Sequence, residues 1–575
     1  MIRKFFLILS IVLYCGQVLA QDAVYVSPLN YPLSLAGNFG EVRPNHFHSG
    51  VDFKTGGVIG KEVVSVADGY ISRIFVSPFG YGKALYITHP EMGTMSVYGH
   101  LDRFAPEIEA YVKSEQYRRR SYAVDLYLSP STFPVSQRQF IAYSGNTGSS
   151  GGPHLHFEIR EGASQKPVNT IARGIYDVQD DIRPNIVSVS VVEVDTVKGV
   201  PIHTLTQRRV AVKGEDGNFV LSNRHPFVIK KPSYFAVEIT DRKNNVGNIF
   251  AVYKMEVKRS GKDYFGYTLD AFSFGETKYV NTLALYPHTN KTRNDIIRTY
   301  ISPNNYLSVY DNVVDRGIIK PASIKGEEPI DLAVWDDSGN KSTISFVIAA
   351  GEPEETVPET FMTPGRPVWW LSGCRYIDSA CSVTIPEKAL YESVLLNILY
   401  DSTIMKGGYS PAVCFGDSGV PLHKSINIGI SDKYLPVTLR DKALLAVVNE
   451  KTGRLSSAGG AWKNGYVTAN VGAFGKYCIA VDTIPPVIRP LFTDGQSLSG
   501  KESISFRITD DFSGIDKWHA TIDGAWMLFE YEPKERKITH YFDAGRIEKG
   551  KKHDIILTVT DGKGNRKVYE GTFVW

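Results

Sequence analysis

A chain of 575 residues is too long for one hydrophobic core, and 43% hydrophobic with 22% charged residues is the composition of a folded globular protein. The net charge of +3 carries no clustered basic footprint, so no nucleic-acid partner is expected. Thirty-two Tyr and 28 Phe, with frequent Val, Ile and Thr, point to a mainly β chain of several domains.

The N-terminus starts with Met1-Ile2-Arg3-Lys4, runs apolar from Phe5 to Tyr14 and reaches Val18-Leu19-Ala20. A positive start, a short apolar run and a small final residue predict a signal peptide over 1–20. The protein is then exported, to the periplasm, the cell envelope or beyond. A membrane anchor is the alternative, although the run is short for a span. Tyr14 is too bulky to suit a lipoprotein site at Cys15. Four cysteines follow, Cys374, Cys381, Cys414 and Cys478, and an even number in an exported chain allows two disulfides.

From residue 24 the pattern is one of short strands and turns. His48 and Asp52, four apart in an extended segment, share a face and are two plausible metal ligands. Residues 63–71 suggest a strand, a turn at Asp68-Gly69 and a return strand, and Phe79-Gly80-Tyr81-Gly82 a further turn. Ala84–Thr88 and Met95–Tyr98 read as a pair leading to Gly99-His100-Leu101. Phe104, Ile108 and Val112 at helical spacing, with Pro106 in a first turn, predict an amphipathic helix inserted over about 103–128. It is either a solvated excursion or a wall beside a groove.

Residues 144–160 carry the strongest chemistry. A glycine-rich turn enters a short strand in which His154 and His156 share one face, while Leu155, Phe157 and Ile159 share the other. Such a pair suits a metal ligand beside a proton-handling neighbour, or two solvated histidines on an edge strand. Six of the 13 histidines lie between residues 46 and 156. His46 reads as solvated or as a support to the site, and His89 as a turn residue before Pro90.

Together Phe39-Gly40 with Arg43, His48-Ser49-Gly50-Val51-Asp52, Ala67-Asp68-Gly69, Gly80-Tyr81-Gly82, Tyr98-Gly99-His100-Leu101 and the stretch from Ser144 through Glu158 resemble the M23 zinc metallopeptidases, the lysostaphin-like and LytM-like cell-wall endopeptidases. The resemblance covers residues 28–170. It implies an antiparallel-sheet peptidase domain, zinc (Zn2+) held by His48, Asp52 and His156, and His154 and His100 as the catalytic pair. It also implies peptidoglycan stem peptides and cross-bridges as substrate, with the cross-links of a Gram-negative envelope as the expected target. Two imidazoles and one carboxylate leave a fourth tetrahedral position for water, as in a catalytic zinc site. The sequence departs from the family over 102–138, which is long, and at Ser136-Gln137-Arg138, where a glycine is usual. A non-catalytic relative that binds wall or activates other hydrolases is the alternative and would show substitutions at the ligands; none is present.

Beyond residue 175 a hairpin-like unit recurs, as Ala236–Asp241 before Gly247-Asn248, Asp331–Asp337 before Gly339-Asn340, and Ile556–Asp561 before Gly564-Asn565. Proline-containing junctions near 181–184, 351–355 and 482–486 separate the units. The expected order is a peptidase domain at 24–175, one or two Ig-like β-sandwich domains at 181–350, a β-rich domain with the four cysteines at 360–480, and an Ig-like sandwich at 484–575. Trp369-Trp370 could stack on sugar or pack a core. Cell-envelope protein partners are expected through the sandwiches, and a surface scaffold or adhesin is a further reading of so large a non-peptidase part.

Overall fold

The computed structural model describes residues 24–286, 294–352 and 365–575. The expected signal peptide at 1–20 lies outside the described residues, as do Pro353, Glu354 and Glu355 of the acidic junction. Among the described residues strands dominate, and Pro106–Arg119 is the one long helix. No helix among them is long and apolar enough to cross a membrane.

The N-terminal part is built on a 9-stranded sheet. Its main path runs Leu35–Gly37, Val51–Lys54, His154–Glu161, Thr94–Leu101, Lys83–His89, Gly69–Val76 and Val124–Tyr127, with antiparallel neighbours. Alternation along His154–Glu161 sends Leu155, Phe157 and Ile159 into the core at 0 to 2% exposure. Each such burial stabilises by roughly 1.5–3 kcal/mol. The opposite face carries His154, His156, Glu158 and Arg160. Register then does the placing: His156 pairs with Asp52 on one side and with Gly99 on the other.

Three local expectations are corrected. Residues 63–71 do not form a hairpin. Glu62–Val64 joins Phe140–Tyr143 and Arg103–Phe104 in a separate 3-stranded sheet, and Gly69–Val76 pairs with Lys83–His89. His89 is no turn residue. It ends a strand at 0% exposure, its Nδ1 lies 2.8 Å from the Asp68 carbonyl and its Nε2 2.7 Å from Ser96 Oγ. Ser233–Thr240 is a central strand between Asn185–Val197 and Asp295–Arg298, so the run after Asp241 returns as a loop and not as a hairpin partner.

The helix begins at Pro106, where the missing N–H costs nothing, and Glu107 and Glu109 favour its N-terminus as Arg118 and Arg119 favour its C-terminus. Arg120, left-handed at φ 49°, ends it. Phe104 belongs to the preceding strand, and the buried stripe is Ile108, Val112 and Gln116. The helix is not a solvated excursion. Tyr117 meets Trp526 edge-on at 5.3 Å and lies under Arg546 at 3.4 Å, both from the C-terminal part of the chain.

Residues 185–350 form an 11-stranded sheet system. Its core takes in Phe39 and Phe47 from the N-terminal part, both packed on Phe272. Between Arg366 and Val481 two 5-stranded sheets share a core, and between Val487 and Val574 a 4-stranded and a 5-stranded sheet share another. The four cysteines are free thiols. Cys414 faces Lys476 in the ladder and so sits diagonal to Cys478, a spacing too wide for a disulfide. Cys374 and Cys381 lie across from Ile385 and Ile430. Trp370 packs on the core of that region, whereas Trp369 is exposed beside Gly199.

The C-terminal part is bound to the N-terminal sheet by an ion pair between the buried Lys83 and the half-buried Glu530, Nζ to Oε2 at 3.0 Å. Lys83→Ala leaves the half-buried Glu530 carboxylate without its partner and is expected to cost about 1–3 kcal/mol in denaturant unfolding. The Lys83→Ala, Glu530→Ala double variant should lose less than the sum of the singles.

Candidate metal centre

Three donor atoms converge on the polar face of the main sheet. His48 Nε2 and His156 Nδ1 are 3.0 Å apart, and Asp52 Oδ1 is 3.0 Å from the first and 2.9 Å from the second. All three side chains are buried. Asp52 and His156 face each other in the ladder. His48 arrives differently from the sequence expectation: it is not on one strand with Asp52 but in the turn between His46–Phe47 and Val51–Lys54. Gly50 lets that turn close down, because a Cβ there would collide with the Phe157 carbonyl.

The outer atoms of each ligand fix what the inner atoms offer. His48 Nδ1 is 2.7 Å from the Asn38 carbonyl, so it carries the proton and Nε2 presents a lone pair inward. His156 Nε2 is 2.8 Å from Glu158 Oε1, which holds the Nε2 proton and makes Nδ1 the nitrogen that would ligate once its own proton leaves. Glu158 is wholly buried and also accepts from Tyr81 Oη, Ser49 Oγ and Arg160 Nε. Burial works against its charge, but the Arg160 guanidinium and His156 overcome this and hold Glu158 ionised well below the usual carboxylate range. Asp52 Oδ2 accepts from Arg43 at 2.7 Å. Burial opposes its charge too, yet His48 and the hydrogen bonds of the three histidines keep its pKa well below normal.

Two imidazole lone pairs and a carboxylate oxygen cannot sit 3 Å apart without a cation or a proton between them. A tetrahedral ion with bonds of about 2.0–2.1 Å separates its ligands by a little over 3 Å, so the donor set fits zinc with one position left for water or substrate.

His100 and His154 stand on the side of this cluster away from Glu158. Their rings are 4.9 Å apart, and His154 Nε2 is 3.3 Å from Asp52 Oδ1. His154 Nδ1 is fixed by the Gly152 carbonyl at 2.8 Å, and His100 Nδ1 by the Thr147 carbonyl at 2.8 Å. A break in register between Lys83 and Leu85 opposite Gly99-His100 re-aims His100, which sits at a left-handed φ of 57°. Such a conformation costs about 1–3 kcal/mol in a non-glycine residue and clusters at functional sites. Burial and the neighbouring His156 and His154 push the His100 pKa down to about 3, so its Nε2 is a neutral acceptor. The glycine-rich turn fits against the Gly80–Gly82 turn because Gly148, at φ 70°, lies too close to Gly82 for a side chain. Arg138, at φ 67°, adopts the left-handed conformation where a glycine is usual.

All five residues singled out from the sequence therefore meet in one place. His46 stays apart on the surface, its Nδ1 2.9 Å from the Pro44 carbonyl. The sequence reading gave no role to Asn38, Tyr81, Glu158 or Arg160. Glu158 and Arg160 had a signal, since they continue the alternation of His154 and His156. Tyr81 stood in the matching Gly80-Tyr81-Gly82 piece but read only as a turn residue, and Asn38 had no signal. The C-terminal part also reaches the site: Lys534 Nζ donates to the carbonyls of Asn146 and Ser150 in the glycine-rich turn.

Residues 46–117 match the family model of peptidase family M23, and residues 367–482 that of the Zu5-like domain. A protein of Haemophilus influenzae described as an uncharacterized metalloprotease is 32% identical over 120 residues, 21% of this chain and 19% of that protein. The matched segment is thus about a fifth of that relative's length. Among solved structures, a zinc containing peptidase from Vibrio cholerae is 25% identical over 26% of this chain and 39% of its own, with a TM-score of 0.19. The catalytic domain of lysostaphin from Staphylococcus simulans is 22% identical over 24% and 90%, with a TM-score of 0.18.

The hydrogen bonds of Asp52 and Glu158 outweigh burial and raise the metal-free His156 pKa to about 9. Zinc uptake at pH 7 is therefore expected to release about one proton, and affinity to fall as pH drops. Calorimetric titration in two buffers of different ionisation enthalpy reads the proton directly. His156→Ala should abolish both the metal content and the proton release.

Proposed function

We propose that this chain, whose residues 46–117 match peptidase family M23, is an exported, zinc-dependent endopeptidase that cuts peptide cross-links of peptidoglycan. The observation that carries the reading is the three-donor cluster of His48, Asp52 and His156 with the inward nitrogens of His154 and His100 on its remaining side. Bound zinc would lower the pKa of a coordinated water and polarise the scissile carbonyl. The chain's own groups divide the remaining work. His154, held at Nδ1 by Gly152, takes the proton at Nε2 and returns it to the leaving amine. His100, with its pKa far below neutral, is a poor base and instead accepts a hydrogen bond at Nε2 that orients the attacking water. Arg43 and Asn38 keep Asp52 and His48 in place.

A non-catalytic wall-binding or hydrolase-activating role is disfavoured because all five residues are intact and mutually arranged. Peptidoglycan as substrate and export to the envelope rest on the family resemblance and on the N-terminal sequence. The remaining sheets are assigned to support of the peptidase and to contacts with envelope proteins.

Purified sacculi incubated with the full mature chain are expected to lose cross-linked muropeptides. His154→Ala should slow this about 100- to 10,000-fold, the range of a lost general base. Unchanged cross-linking with the wild-type chain would favour the binding role. A fragment of residues 21–175 is expected to be less stable and less active than the full chain, because Phe39, Phe47 and Tyr117 lose their packing partners. A fragment more active than the full chain would instead indicate that the later domains cover the groove.

A further inference from the structure

Away from the peptidase centre, three aspartates from distant parts of the chain meet. Asp180, Asp241 and Asp336 each offer a carboxylate oxygen within 4.8 Å of the others. Asp180 lies on the segment leaving the N-terminal part, Asp241 follows the strand Ser233–Thr240, and Asp336 follows the strand Glu327–Trp335. Asp337 is adjacent, and Lys243 Nζ bridges Asp180 Oδ2 at 3.0 Å and Asp337 Oδ1 at 2.5 Å. Four buried carboxylates thus face one ammonium.

The ammonium does not serve all of them. Asp336 accepts from the backbone of Ser338 and Asn340 and from Asn340 Nδ2, and Asp180 Oδ1 from the Ile182 N–H. Asp241 is 1% exposed, and neither of its oxygens has a hydrogen-bond partner. A buried, unpaired carboxylate among three others is among the costliest arrangements a fold can hold. Burial and the neighbouring Asp336 push the Asp241 pKa up to about 9.

The same device recurs at the last domain junction, where it is resolved differently. Asp482, Asp510 and Asp561 occupy matching positions. Asp482 Oδ1 accepts from the Ile484 N–H, Asp561 from Lys563 and Asn565, and Asn565 Nδ2 donates to the Asp482 carbonyl as Asn340 Nδ2 does to that of Asp180. There, however, Asp510 takes the backbone N–H groups of Phe512 and Gly514, and Asp482 Oδ2 that of Ser513. After Asp241 comes Arg242-Lys243-Asn244-Asn245, and no amide turns back onto the carboxylate.

We propose that Asp180, Asp241 and Asp336 bind a hard divalent cation, calcium, at the junction of the peptidase domain and the 11-stranded sheet. The donors are all oxygen, which selects the calcium and magnesium class over zinc. Three buried carboxylates favour calcium, since magnesium keeps most of its waters and takes one or two carboxylates. A cleft lined by Asp180, Asp336, Ser338 and Gly339 gives the ion a way in. The bound ion would fix a cluster that also touches the peptidase centre: Asp337 Oδ2 accepts from Asn38 Nδ2 at 3.2 Å, and the Asn38 carbonyl holds His48.

The test is equilibrium dialysis of calcium against the zinc-loaded full chain, with thermal melts without calcium and in about 10 mM CaCl2, roughly ten to a hundred times the Kd usual for extracellular calcium modules. Wild type and His156→Ala are both expected to take up calcium at this site and to melt several degrees higher with it, and magnesium to do less. Asp241→Asn and Asp180→Asn should each lose that uptake and the shift. Asp241→Asn, isosteric with the protonated acid of the ion-free chain, should melt no lower than calcium-free wild type, which separates lost binding from misfolding. No calcium uptake by wild type, meaning that Asp241 is simply protonated, would overturn the proposal. So would undiminished uptake by Asp241→Asn, or loss of uptake in Asp510→Asn alone.

Discussion

The repulsion among three electron-rich atoms, His48 Nε2, His156 Nδ1 and Asp52 Oδ1, is the constraint on which the N-terminal part depends. Left alone, such atoms would turn outward and find water. Each is instead held from behind by a hydrogen-bonding group: a main-chain carbonyl for His48, a buried carboxylate for His156 and a guanidinium for Asp52. Those holders are held in turn. Glu158 is satisfied by Arg160, whose guanidinium lies over Phe274 at 4.5 Å, and Asn38 is clasped on both sides of its amide by Ala251. The second layer therefore comes partly from the following sheet system.

This explains why the peptidase region is not self-contained. The segment carrying His48 is flanked by Phe39 and Phe47, and both belong to the core of residues 185–350. On the other side the helix Pro106–Arg119 and the Lys83 ammonium lean on the C-terminal sheets. Metal ligands need placement within a few tenths of an ångström, and rigid packing supplies it better than a free loop does. The later domains support the geometry of this site through packing.

Much of the centre was legible in the sequence because its signals are short in range. The two-residue alternation of His154 and His156 against Leu155 and Phe157 is a property of any strand, and the surrounding glycines mark turns that only glycine tolerates. What could not be read depended on distant pairing. His48 shares no strand with Asp52; the two meet because the turn at Gly50 folds back onto the strand of His156. Val63 and Ile71 resemble a hairpin locally but belong to different sheets. Asp241 and Asp336 stood out as turn residues in a recurring pattern, and nothing local showed that those turns close on one another. The cysteines were misleading because parity says nothing about register.

The contact between Lys534 and the glycine-rich turn links residues 388 positions apart. Contacts of that span form late, since the chain must close a very long loop before they repay its entropy. During synthesis, the turn that positions His100 and His154 therefore emerges long before the lysine that braces it. A nascent or proteolytically shortened chain carries His48, Asp52 and His156 yet lacks this brace. The order in which the chain is made and folded thus sets when the geometry around His100 and His154 is finished.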